Sequence, residues 1–133
     1  MKRFVLAIAL AAMPAVLEAK ESASFLQGTY STEEGCQKLQ ALAAGTQPSL
    51  ETVPDTLTPN GFKSWEGTCE FTKIYEHEPG KVYLGLMFCT EGESMTPVNF
   101  VFVKNDDGSF EVAATGQEAP EQFKRCAAGE EKK

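Results

Sequence analysis

The chain has 133 residues, 42% of them hydrophobic and 23% charged, with a formal charge of −7 at pH 7. That balance opposes binding to nucleic acid or to an anionic membrane, where basic patches supply most of the affinity. It suits solubility, and it would steer a basic protein partner toward the surface.

At the N-terminus, Lys2 and Arg3 precede an apolar run from Phe4 to Leu17, broken at Pro14 and followed by small residues. This is the three-part pattern of a secretory signal peptide. The run is too short for a membrane span, which takes about 20 residues. A buried helix would not open on two cations at the chain terminus. Ala19 is the expected last residue of the signal. Ala15 and Ala23 are alternatives, because Leu17 stands where a small residue is preferred. No Cys lies near this region, which argues against a lipid anchor. The expectation is a cleaved signal over 1–19 and one small domain over 20–133, exported in bacterial fashion to the periplasm or beyond, with no stable membrane anchor. Losing Lys2, Arg3 and Glu18 moves the formal charge from −7 to −8.

Ser31 to Gly45 reads as a helix. Ser31 and Glu34 have capping-box spacing, Cys36, Leu39 and Ala43 recur at helical spacing, and Gly45 is a natural stop. A long connection with Pro48, Pro54 and Pro59 follows. Within it Asn60-Gly61 signals a hairpin pairing Thr56–Pro59 with Phe62–Trp65. From Cys69 onward the pattern turns to strands: Cys69–Glu76, Val82–Cys89, Pro97–Lys104 and Phe110–Thr115, an antiparallel meander. Val82, Leu84, Leu86 and Phe88 are expected on one face with Val98, Phe100 and Phe102. Tyr83, Met87, Val101, Val103, Phe110 and Val112 are expected on the other. Both faces are apolar, so both need cover. Pro120 to Ala127 reads as a short C-terminal helix, with Glu121 at its positive end and Lys124 and Arg125 at its negative end. A frayed tail runs over 129–133. The expected fold is α+β: an N-terminal helix packed on a mostly antiparallel sheet of four to six strands, closed by that second helix.

Cys36, Cys69, Cys89 and Cys126 all lie beyond the signal, and an even number in an exported domain implies disulfides. A hairpin centred on Pro79 sets Cys69 opposite Cys89, which leaves Cys36 to meet Cys126. No C-x-x-C spacing supports zinc or thioredoxin-like chemistry.

Catalytic signals are sparse. His77, the only histidine, stands beside an expected turn, and H-E-x-x-H zinc sites and G-x-S-x-G elbows are absent. No glycine loop has phosphate-binding spacing, so neither a cofactor nor a metal is expected. Glu70 and Glu111 interrupt strands, as charges on outward sheet faces commonly do. Two segments could carry recognition. Phe62, Lys63 and Trp65 set an aromatic pair beside a cation, although the cap of a small core is the better reading of both rings, because the domain has few other large apolar groups. Thr90–Met95 joins Glu91 and Glu93 to the apolar Met95. The reading is a non-enzymatic binding protein with a basic protein partner, in its most concrete form an inhibitor of a basic cell-wall hydrolase such as lysozyme. An accessory protein of the envelope or of a secretion assembly is one alternative, and a carboxylate-dependent hydrolase is the other.

Overall fold

The computed structural model describes residues 21–46 and 54–127. The signal segment 1–19 and the tail 129–133 lie outside the described residues. Eight antiparallel strands form a closed barrel in sequence order: β1 (Tyr30–Ser31), β2 (Thr56–Thr58), β3 (Gly61–Lys63), β4 (Thr68–Glu78), β5 (Val82–Glu91), β6 (Ser94–Lys104), β7 (Phe110–Ala114) and β8 (Glu121–Arg125). One helix, α1 (Glu33–Ala43), follows β1. This replaces the expected α+β architecture. The two apolar faces are served differently from that expectation: one lines the closed barrel, and among the described residues no helix covers the other.

The barrel interior is filled, as eight strands permit. Phe71, Phe102, Phe110, Phe123, Leu57 and Met87 each retain less than 2% of their exposure. Burial alternates along β5, where Tyr83, Gly85 and Met87 point inward. Gly85 is required by close packing: a Cβ there would lie 2.9 Å from Phe71 Cε1 and 3.1 Å from Phe102 Cε2. Residues 21–29 plug one mouth. Ala23 is fully buried and its N–H donates to the Pro59 carbonyl at 2.8 Å. Phe25 stacks on Tyr83 with ring centroids 4.0 Å apart and also meets Phe102, Phe110 and Phe71. Glu21 accepts a bond from the Ile74 N–H at 2.7 Å, beyond the reach of the short β3.

The predicted C-terminal helix is a strand. β8 pairs with β7 through Phe110–Phe123 and with β1 through Tyr30–Arg125, so it closes the barrel. Its five residues are too few to show a period, and the closure contacts outweigh helix-compatible end charges. The first helix forms two residues later than expected. Thr32, not Ser31, is the N-cap and accepts from the Gly35 N–H at 3.1 Å. Ser31 belongs to β1, and its hydroxyl donates to the Asp55 carbonyl. Gly45, at φ 70°, ends the helix as expected. α1 rests on β1 and β8, and only Gly35 and Cys36 are buried along it.

Both disulfides have the expected partners, Cys36–Cys126 and Cys69–Cys89. The first ties α1 to the end of β8. The second joins directly opposed residues of β4 and β5. Covalent pairs of this kind fit an oxidising, extracellular-type compartment. Among the described residues no helix is long and apolar enough to cross a membrane.

Candidate functional site

Alternating strand direction brings distant loops together. The β3–β4 turn, the β5–β6 hairpin, the β7–β8 loop and the approach to β2 share one mouth of the barrel, opposite the N-terminal plug. Lys63, Thr68, Thr90 and Met95 form one lateral row across β3 to β6. Three strand spacings make that row about 15 Å wide. Gly67 locks the β3–β4 turn against β5, because a Cβ there would sit 2.1 Å from the Thr90 carbonyl oxygen. Trp65 projects from this turn and is 65% exposed, and Met95 is 66% exposed.

Acidic residues lie in the same end loops as these two apolar groups. Asp55 precedes β2, Glu66 follows Trp65, and Glu91 and Glu93 flank Gly92 in the hairpin. Burial holds the Asp55 carboxyl above the ordinary carboxylate range, and the nearby Glu66 charge adds to the effect. Lys63 supplies a cation beside them.

Five of the six sequence-predicted contact residues therefore come together: Lys63, Trp65, Glu91, Glu93 and Met95. Phe62 does not join them. It points into the barrel, with ring centroids 6.0 Å from Phe123 and 6.3 Å from Phe100. Its role is to cap the core, the other reading its sequence allowed. Lys63, the next residue along β3, consequently faces outward.

A second exposed surface was missed. On the outer wall of β5 and β6, five opposed pairs from Val82–Val103 to Thr90–Met95 carry no charged side chain. Tyr75, Leu84, Phe88, Met95 and Val101 all lie on the outward side of β4–β6. They are five of the seven large hydrophobic residues exposed among the described residues. Sequence reasoning set Leu84 and Phe88 with Phe100 and Phe102, whereas the register pairs Leu84 with Val101 and Gly85 with Phe100. The turn is the two-residue Gly92-Glu93, with Gly92 at φ 59°. A turn centred on Gly92 would differ by one residue, and such a slip exchanges the faces of every side chain.

Other regions offer less. A cavity of about 310 Å³ beside the plug is lined by Glu21, Phe25, Glu76 and Tyr83, among others. Burial there raises the Tyr83 hydroxyl pKa, with the Glu76 charge adding to it. A groove of about 300 Å³ lies beside α1 and the end of β8. Neither holds Asp55 or Glu66. His77 sits exposed at an irregularity of β4. Glu70 and Glu111 stand on the outward sides of β4 and β7, opposite Phe88 and Val103. The described residues contain no free cysteine and no group of three or more His, Cys, Asp or Glu arranged to hold a metal. Comparison with known proteins found no matching family model, curated protein or solved structure, so the functional reading rests on this geometry.

Proposed function

We propose that the protein is an exported, non-enzymatic binding protein whose acidic mouth engages a basic protein, most concretely an inhibitor of a cationic cell-wall hydrolase in the periplasm. The observation that carries this reading is the placement of Trp65 and Met95, both about two-thirds exposed, at one end of a filled barrel among Asp55, Glu66, Glu91 and Glu93. An exposed aromatic anchor supplies contact energy, and surrounding carboxylates accelerate encounter with a cationic surface. A filled interior supports surface recognition rather than carriage of a ligand inside the barrel. The alternative accessory role in an envelope assembly draws its support from the uncharged wall of β5 and β6.

An activity assay tests the inhibitor reading. Lysozyme hydrolysis of peptidoglycan is followed while the oxidised domain, residues 20–133, is titrated in. The expected result is stoichiometric inhibition that Trp65→Ala weakens at least tenfold. Unchanged hydrolysis at a large excess of the domain would reject the inhibitor form.

A further inference from the structure

We infer that the uncharged outer wall of β5 and β6 and the acidic mouth form one continuous docking surface, occupied by a single basic protein whose concave cleft has an apolar floor. This rests on the proposed binding role and specifies the shape and chemistry of the partner. Three observations lead to it.

The first is continuity. The outward positions run from Leu84–Val101 through Phe88–Pro97 to Thr90–Met95, and the next elements beyond Met95 are the acidic hairpin and the Trp65 turn. No charged residue interrupts either strand along this path. In a chain with 23% charged residues, ten uncharged outward positions on adjacent strands, eight of them apolar, form a candidate contact surface.

The second is area. Two strands and their flanks, about eight residues long, give a footprint of roughly 300 Å². A stable interface takes about 800 Å² from each partner. The wall alone falls short, so a stable complex must also bury the neighbouring loops at the mouth.

The third is shape and charge. The outside of a closed barrel is convex, so two copies meeting wall to wall would touch over little area. A cleft can wrap the same surface. Glu66, Glu91 and Glu93 cluster at the mouth end, which sets cationic groups at the corresponding end of the partner's cleft. Pro97 lies in the part of β6 that has no β7 partner. Lacking an N–H, it disfavours strand addition there and leaves side-chain docking on the wall as the mode of contact.

The test combines binding and sedimentation on the whole 20–133 domain, with lysozyme as the cationic, cleft-bearing probe. Four proteins are compared: wild type, Trp65→Ala, the double variant Leu84→Ser/Val101→Ser, and Leu42→Ser on exposed α1. The inference expects at least tenfold weaker binding for both Trp65→Ala and the wall variant, and no change for Leu42→Ser. Hydrogen exchange on the wild-type complex gives a readout independent of the variants' folding, with slower exchange expected along Val98–Val101. Loss with Trp65→Ala but none with the wall variant, and no protection on β6, would overturn the inference while leaving the binding role intact. No lysozyme binding by the wild type would overturn both. A dimer of the free protein that the wall variant dissociates would assign the wall to a second copy and overturn the inference. Protection of the wall by soluble peptidoglycan fragments, without protein binding, would do the same in favour of a glycan.

Discussion

Replacing Phe25 by Ala tests whether residues 21–29 are structural. The Phe25 ring stacks on Tyr83 at 4.0 Å and approaches Phe102, Phe110 and Phe71 within 6.4 Å. Truncating a fully buried Phe costs about 3–5 kcal/mol. Phe25 is only partly buried, which sets the expectation near the low end, about 3 kcal/mol, including roughly 1 kcal/mol from the stacked pair. For a domain of this size, about 4 °C of melting temperature is lost per kcal/mol, so the midpoint falls by roughly 12 °C. Urea unfolding checks the value: the midpoint shifts and the slope stays constant, because the surface exposed on unfolding barely changes. A loss below about 0.5 kcal/mol, the level of an ordinary surface substitution, would refute the plug. The same geometry bears on processing. If the proposed signal is cleaved, a cut after Ala23 would remove a fully buried residue and the Glu21–Ile74 bond, so a mature N-terminus at or before Glu21 is expected.

Four further outcomes follow from the fold. Removing Cys36–Cys126, with a sequence separation of 90, costs about 4–5 kcal/mol by chain entropy; removing Cys69–Cys89, with a separation of 20, costs about 3. Equal losses in denaturant unfolding would contradict that ordering. Gly85→Ala destabilises the fold by about 1–3 kcal/mol, because two core rings must give way; a neutral result in the same assay would show that they move freely. Asp55 has a raised folded pKa, so between the ordinary 3.8 and that value the folded state holds more protons. Acidification through this window therefore stabilises the fold, and Glu66→Gln reduces the gain. Carboxyl NMR showing Asp55 titrating at or below the ordinary value would contradict this. Asp107 acts oppositely: the Ser109 hydroxyl and N–H hold its pKa down, so its contribution is present above 3.8 and lost as pH falls through the folded value. Asp107→Asn should flatten that part of the stability-against-pH curve, and an unchanged curve would argue against it.

Local chemistry was legible where it concerned neighbours. The helix stop at Gly45, the approximate positions of β4 to β7 and the exposure of Met95 could all be read from residue order, whereas Trp65, whose ring suited the cap of a small core, is 65% exposed. The Cys69–Cys89 pairing was reached through compensating features. The first long hairpin turns at Gly80, with Glu78 opposite Val82, and two irregularities, between Phe71 and Lys73 and between Glu76 and Glu78, shift the register by two residues before the cysteines. Asn60-Gly61 marked a hairpin, but the turn residues are Pro59 and Asn60. Gly61 instead opens β3, where only glycine fits because a Cβ would meet the Cys69 carbonyl oxygen at 1.9 Å.

Closure was not legible. β1 has two residues and β8 five, too short for a period, and their partners lie about 95 positions apart along the chain, as in Tyr30–Arg125. Without closure, two apolar faces on β5 and β6 call for covering helices. With closure, one face becomes core and the other an exposed wall. The site was correspondingly half legible: its end loops were found from aromatic and acidic residues, while the wall was hidden by a one-residue difference at Gly92-Glu93.

The most direct test of the central claim is a calorimetric titration of lysozyme with the oxidised domain at low and physiological ionic strength, for wild type and for the triple variant Glu66→Gln/Glu91→Gln/Glu93→Gln. One-to-one binding that weakens with salt is expected for the wild type. For the variant the expectation is weaker binding with a much smaller salt dependence. Absence of binding, or binding of equal strength and equal salt dependence in both proteins, would contradict the assignment of the acidic mouth as the recognition site.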